Sequence, residues 1–394
     1  MNRWRRLFEA GSPRVVAGVM SGTSLDGIDV AIAALNGSGR DLTLQLVGTR
    51  TTEFPGPVAA ELSRMAEADA YPVDSLTLLN ARLSAVYDNA IRDAARSAGI
   101  PISEIHLVGC HGQTVRHQPH PQDFAGGATS GTLQLGNGAA LAATLGIPVV
   151  SDFRSADVAL GGQGAPLVPY FDYVTLRSDH ENRIALNLGG IANLTALPAG
   201  VKLGGLLAFD TGPANMAMNG LAERLLGEPY DRDGKHAAAG RPIRSIVESV
   251  LARPYFAASP PKSAGRKSAG AGFGSEFVEW MIAQAPAAKP SDLLATAAAI
   301  TVESIVLAVA RFVPFDPDVL VVSGGGCRNT YLMECLRGHF ARVETSDEFG
   351  VDATFKEALA FAVLAHEAVN GVATGIPAVT GASRPAVLGS ISWP

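Results

Sequence analysis

Met20 to Asp29 reads MSGTSLDGID, a turn rich in groups that could handle phosphate. Gly22 and Gly27 permit a close backbone approach, and Thr23 and Ser24 set hydroxyl donors beside backbone N–H groups. Leu25 and Ile28 are the apolar members of the turn. Asp26 and Asp29 next to an anion site become sensible once Mg²⁺ is added, because that ion bridges phosphate oxygens and takes one or two carboxylates. Taken alone, the segment reads equally well as an ordinary polar turn. A second run, Asn187 to Thr195, places Gly189, Gly190 and Asn193 between two apolar segments. A third, Ser323 to Asn329, sets Gly324, Gly325, Gly326 and Asn329 behind a strand-like stretch. Two glycine hairpins can clamp a triphosphate from two sides. A glycine platform can let an adenine ring lie on bare backbone.

Asp210 ends the apolar run Gly205–Phe209 and enters what reads as a tight turn, Thr211 to Asn215. A carboxylate there could serve as the base of a phosphoryl transfer, or it could cap the turn that follows. Asp152 and Arg154 follow the apolar run Ile147–Val150 and precede the loop Leu160–Pro169, which holds Gln163. Polar side chains of this kind suit a sugar or a carboxylate, or form a structural pair. His111 closes the run His106–Cys110 beside Gly112. His117 and His120 follow, at spacings that make no transition-metal set. The sequence contains no GxxxxGK[ST], no dinucleotide GxGxxG after a strand, no GxSxG and no HExxH.

The composition narrows the class. The chain has 394 residues, 47% hydrophobic and 17% charged, and a mean hydropathy of +0.19, which excludes a disordered chain. A net charge of -6 argues against a nucleic-acid partner. Three cysteines without a CxxC pair fit the reducing cytoplasm. The basic start Met1–Arg6 is followed by too short an apolar run for a signal peptide, and Ala125–Ser151 is too interrupted for a membrane span.

The elements that must carry these residues are strands and helices in alternation. Strand–turn–strand units are expected at Val15–Leu35 and Arg183–Leu197, a weak internal duplication. Val319–Val322 reads as a strand leading into a glycine loop and a helix over Tyr331–Leu336. Helical spacing marks Val73–Ser97, Leu293–Arg311 and Glu357–Val369. The apolar Leu293–Arg311 could contribute to a dimer face, and Ser259–Gly274 reads as a mobile surface loop.

In this order the three glycine segments resemble the nucleotide cleft of the actin, hexokinase and Hsp70 superfamily. More specifically, Gly18–Asp29, His111–Thr114, Ser151–Pro169, Asn187–Thr195, Phe209–Asn215, Pro260–Arg266, Ser323–Asn329, Glu357–Ala365 and Val379–Leu388 resemble the anhydro-N-acetylmuramic acid kinase family. The resemblance implies an α/β, two-domain actin-like (ribonuclease H-like) ATPase fold with an interdomain nucleotide cleft. It implies domains at 14–150 and 151–354, with 355–394 packing back on the first. It implies ATP and Mg²⁺ as cofactors, a small-molecule sugar as partner, a cytoplasmic homodimer, and phosphorylation of O6 of 1,6-anhydro-N-acetylmuramic acid with hydrolytic ring opening. By this resemblance Asp210 is the base. Residues 22–29, Gly189, Gly190, Asn193, Gly324–Gly326 and Asn329 hold ATP, with Asp26 and Asp29 near the metal. His111, Asp152, Arg154, Gln163 and Glu357 face the sugar. The chain departs from the family pattern at Ala214, at Ser155 and Ala156, and in the glycine-rich continuation after Arg266. Two other readings stay open on residues alone: a sensing module that binds without turnover, and a kinase for a different sugar or a small acid.

Overall fold

The structure, a computed structural model, describes residues 13–394 apart from 23, 24, 26, 69 and 266–270. Expectations for Met1–Arg6, Thr23, Ser24, Asp26 and Arg266 lie outside the described residues. Two compact units emerge, one of residues 1–175 with 355–394 and one of 176–354.

The first unit is built on β1 (Arg14–Ser21), β2 (Ile28–Asn36), β3 (Thr43–Thr52), β4 (Leu107–Cys110), a separate hairpin of β5 (Gln113–Phe124) and β6 (Gly127–Leu135), and β7 (Val149–Ser151). The main sheet runs in the order C-terminal strand Ser390–Ser392, β7, β4, β1, β2, β3. β1, β2 and β3 are antiparallel neighbours, while β1, β4 and β7 are parallel. Alternate residues of β1 point to opposite faces. Ala17 and Val19 join Leu83, Tyr87 and Ile91 of helix Val73–Ser97 in one core. Gly18 faces the other side, against helix Lys356–Val369.

The second unit repeats this plan. β8 (Arg183–Leu188), β9 (Ile191–Leu197) and β10 (Leu207–Pro213) form an antiparallel trio. β11 (Val319–Ser323) and β12 (Val343–Thr345) continue it in parallel beside β8. The order β10-β9-β8-β11-β12 therefore matches β3-β2-β1-β4-β7 strand for strand. The duplication hinted at by the two glycine hairpins is a duplication of whole sheets, and the fold is the actin-like α/β fold.

Two expectations change. The first unit extends past residue 150 to Thr175, because β7 pairs with β4 and the chain after it stays bonded to helix Lys356–Val369. Tyr170 donates its hydroxyl to Glu367 at 2.9 Å, and Lys356 pairs with Asp172 at 2.6 Å, both nearly buried. Helix Pro290–Phe312 is long and apolar enough to cross a membrane, but it is the core helix of the second unit. Its apolar residues Leu294, Ile300 and Ile305 are fully buried there. The described parts of 259–274 are anchored: Phe273 is fully buried, and its N–H donates to the Gly265 carbonyl at 2.9 Å.

Candidate functional site

In the second unit the sheet register aligns polar residues across four strands. Asp210 of β10 is the partner of Asn193 on β9, Asn193 is the partner of Asn187 on β8, and Asn187 is the partner of Ser323 on β11. Register partners share a face, so the row is set by strand pairing. Asp210 thus lies inside a strand, followed by a register irregularity before Gly212, and does not open the tight turn expected of it. Nor does it cap the next helix. Its Oδ2 accepts the N–H of Ala264 at 2.8 Å, its own N–H donates to the Lys262 carbonyl at 3.2 Å, and its carbonyl accepts the Tyr255 hydroxyl at 2.6 Å. The residue keeps partial exposure, but its carboxyl is desolvated. That burial raises its pKa from 3.8 to about 6, against the opposing pull of the Ala264 N–H and of the Lys262 charge. A carboxylate poised near neutrality suits a general base.

The glycines of this unit fall into two kinds. Gly324 has φ +83°, and a Cβ there would come within 2.5 Å of Asn187 Oδ1 and 2.8 Å of the Leu188 carbonyl. Gly326 likewise has no room, with Leu188 Cβ at 2.6 Å. These two are glycine because the protein packs against them. Gly189 and Gly325 are different: a Cβ would meet nothing closer than 3.4 Å and 3.8 Å respectively. The bare backbone at these two positions leaves room for a ligand to lie on it. Gly190 is slightly tighter, with Met216 Cε at 3.3 Å. The carbonyls of Gly189 and Gly190 accept the first N–H groups of helix Asn215–Leu226, which fixes the hairpin tip. Asn329, expected near ATP, uses its Oδ1 to cap helix Thr330–Arg337 through the Leu332 N–H at 3.1 Å. Its side-chain oxygen is therefore a structural cap, and the signal was the ordinary one for a helix start.

In the first unit the β1–β2 hairpin leads from Ser21 to Ile28. Leu25 has φ +63°, and its N–H closes a turn onto the Gly22 carbonyl at 3.2 Å. Gln113 Nε2 also donates to that carbonyl, at 3.2 Å. Ile28 is fully buried in the sheet, so its contribution is to the core. Asp29 accepts the Thr51 hydroxyl at 2.6 Å across the sheet. Among the described residues no three His, Cys, Asp or Glu side chains gather as a metal site. Mg²⁺ at phosphate sites takes only one or two carboxylates, so a cluster of three is not what such a site would show.

Arg154 joins several of the expected sugar residues. Its Nε and Nη2 reach His111 Nε2 at 3.1 and 2.9 Å, and Nη1 donates to the Gly164 carbonyl at 2.6 Å. His111 Nε2 must then accept, so the ring is neutral. Burial first, and the Arg154 charge second, hold its pKa well below the ordinary value. Burial also lowers Arg154 to about 10, while the charges of Glu357 and Asp157 oppose that fall. Asp157 is buried, accepting from Gly164 N–H at 2.7 Å and from Thr380 Oγ1 at 2.7 Å. The loop with Gln163 wraps this carboxylate, and Gln163 donates its backbone N–H to the Thr380 carbonyl at 2.8 Å. Asp152, with φ +56°, accepts from Ser155 Oγ at 2.5 Å. It lines, with His111, Asn80, Gln134, Ser151 and Ser392, a polar pocket of about 320 Å³. His111 and Arg154 are thus brought together, with the Glu357 charge acting on Arg154, whereas Gln163 enters through its backbone. Sequence reasoning missed Lys262 and Tyr255, whose link to Asp210 spans 45 or more residues of chain.

Comparison with known proteins adds a family. The profile of the family "Anhydro-N-acetylmuramic acid kinase" matches residues 14–394. A protein of that name from Salinibacter ruber is 46% identical, over 97% of each chain. One from Gloeobacter violaceus is 42% identical, over 96% of this chain and 98% of its own. One from Bacillus cereus is 35% identical, over 96% and 99%. Among solved structures, a ROK family glucokinase from Streptomyces griseus with glucose and AMPPNP covers 90% of this chain and 99% of its own, at 14% identity and a TM-score of 0.40.

Proposed function

Belonging to the anhydro-N-acetylmuramic acid kinase family, this chain phosphorylates 1,6-anhydro-N-acetylmuramic acid with ATP to N-acetylmuramic acid 6-phosphate, and we propose that Asp210 is its general base. The observation that carries the proposal is the position of that carboxylate. It lies inside a strand and is held by backbone on two sides, with its pKa near 6. The step would run as follows. Asp210 takes a proton from water as the water oxygen bonds to C1. The C1–O6 bond breaks, and its electrons stay on O6. O6 then bonds to the γ-phosphorus, and ADP leaves with the bridging electrons.

The bare Gly189 and Gly325 support a nucleotide lying on this unit's backbone. Asp29, with Asp26, would hold Mg²⁺, which when bound supplies charge neutralisation for the phosphates. His111 and Glu357 would contact the sugar. Arg154, whose guanidinium is committed to His111 and Gly164, would orient them. We place the protein in the cytoplasm, a reading supported by its three free cysteines.

An ADP-release assay with ATP, Mg²⁺ and the anhydro sugar tests this, with N-acetylmuramic acid as control. Release with the anhydro sugar, incorporation of oxygen-18 from water at C1, and loss of both in D210N are expected. A D210N enzyme of unchanged rate would remove Asp210 from the role.

A further inference from the structure

We infer that Lys262, a cation caged by Phe209, Tyr255 and Phe312 on the segment whose backbone grips Asp210, is the positioning residue that keeps the Asp210 carboxylate ionised. This rests on Asp210 being the base. The Lys262 Nζ lies 4.7 Å from the ring centre of Phe312, 4.8 Å from Tyr255 and 5.6 Å from Phe209. It also donates to the Tyr255 carbonyl at 3.2 Å. The segment's grip on Asp210 is made by backbone atoms, the Lys262 carbonyl and the Ala264 N–H, which any side chain at 262 would supply. The lysine side chain therefore adds something else.

A cage of three rings is filled well by an apolar side chain. Putting an ammonium there costs desolvation, partly offset by the ring faces. Burial and the nearby Arg311 charge pull the Lys262 pKa down to about 8, and the Asp210 charge holds it up. The charge is thus retained at neutral pH in a place that disfavours it. Its ionisable neighbours are Asp210 on β10, Tyr255 on helix Pro254–Ala257, and Arg311 on helix Pro290–Phe312. Of these, Asp210 is the anion populated near neutral pH that the ammonium can stabilise, since burial pushes the Tyr255 phenol up and Arg311 is a like charge. An opposite charge in a low-dielectric site favours the ionised carboxylate. Without it, burial alone would carry Asp210 further up, toward the protonated form that cannot accept a proton from water.

The test is the pH profile of kcat/KM for the anhydro sugar in the wild type, K262M and K262R. We expect the acid limb of K262M to rise by about one pH unit or more, which is about a fivefold loss at pH 6 that fades toward pH 9. K262R, which restores a cation, should return the limb toward the wild-type position. A carbon-13 titration of the Asp210 carboxyl should move with the limb. If K262M does not fold, K262Q carries the same expectation, since it keeps a donor without charge. An unmoved acid limb with an even loss at every pH would overturn the inference and leave Lys262 a packing residue. D210N separates the two readings. An active D210N removes the base itself, whereas an inactive D210N with an unmoved K262M limb removes only the role of Lys262.

Discussion

Gly18 and Gly109 are register partners on the neighbouring parallel strands β1 and β4, and helix Lys356–Val369 lies directly on both. A Cβ on Gly18 would come within 1.8 Å of the Ala358 carbonyl oxygen, and one on Gly109 within 2.1 Å of that of Phe361. Neither glycine is needed for its backbone angles; both are needed for the approach of the helix. That approach carries Glu357, one residue before Ala358, to the end of the sheet where Arg154 lies. We expect Gly109→Ala to destabilise the fold by about 1–3 kcal/mol and to raise KM for the sugar more than KM for ATP. Thermal melting and steady-state kinetics check this. A variant with wild-type melting temperature would show that the helix can move away freely.

His111 offers a pH test of the first unit. Its imidazole is neutral when folded, and its pKa lies well below the unfolded value of 6.5, through burial and Arg154. The folded state therefore binds fewer protons than the unfolded one in the window below 6.5. The stability this group provides is present above that pH and is lost as pH falls through the window. Comparing wild type with His111→Asn from pH 8 to pH 5, we expect the melting-temperature difference to shrink steadily below 6.5. A constant difference would mean that His111 does not resist protonation.

Much of this architecture is written locally. Apolar β-branched runs on either side of Gly189-Gly190 mark β8 and β9 to the residue, and the spacing of Leu79, Leu83, Val86 and Ile91 marks helix Val73–Ser97. What the sequence hides are partners far apart in the chain. Asp210 looks like the start of a turn because Gly212 and Pro213 follow it, yet β9 draws those residues into the sheet. Ser259–Gly274 looks mobile because it is rich in Gly, Ser and Lys, yet among its described residues Phe273 is buried in the core and the Ala264 N–H binds Asp210. The unit boundary after 150 looks natural at a strand end, but Tyr170 and Asp172 tie the next segment back through Glu367 and Lys356. Composition and periodicity are local quantities, and these contacts are not.

Asp210 should also trade stability for function. Its pKa rises from 3.8 to about 6 on folding, chiefly by desolvation. The folded state then holds its proton over that window while the unfolded state has released it. The contribution is favourable below the unfolded pKa and is lost as pH rises through the folded one. At pH 8 the folded protein must carry a desolvated charge, so Asp210→Asn should be more stable than wild type by roughly 1–3 kcal/mol. Near pH 4 the difference should largely vanish. Denaturant melts at both pH values measure it, and an Asn variant no more stable at pH 8 would contradict the burial of this charge.

Gly325 gives the most direct test of where the nucleotide lies. It is exposed, and a Cβ would find no protein atom nearer than 3.8 Å. Alanine there should leave the melting temperature of the free protein within about 1 °C of wild type, as for surface changes worth less than ~0.5 kcal/mol. If an adenosine lies on this backbone, the added methyl occupies its place. KM for ATP should then rise about tenfold or more, with KM for the sugar little changed. Gly324→Ala provides the contrast, because it sets a Cβ against Asn187 and Leu188 at a φ of +83° and should destabilise the protein before any ligand is added. A Gly325→Ala enzyme with unchanged KM for ATP would move the nucleotide off this loop. It would leave the Gly189 turn to hold the nucleotide without it.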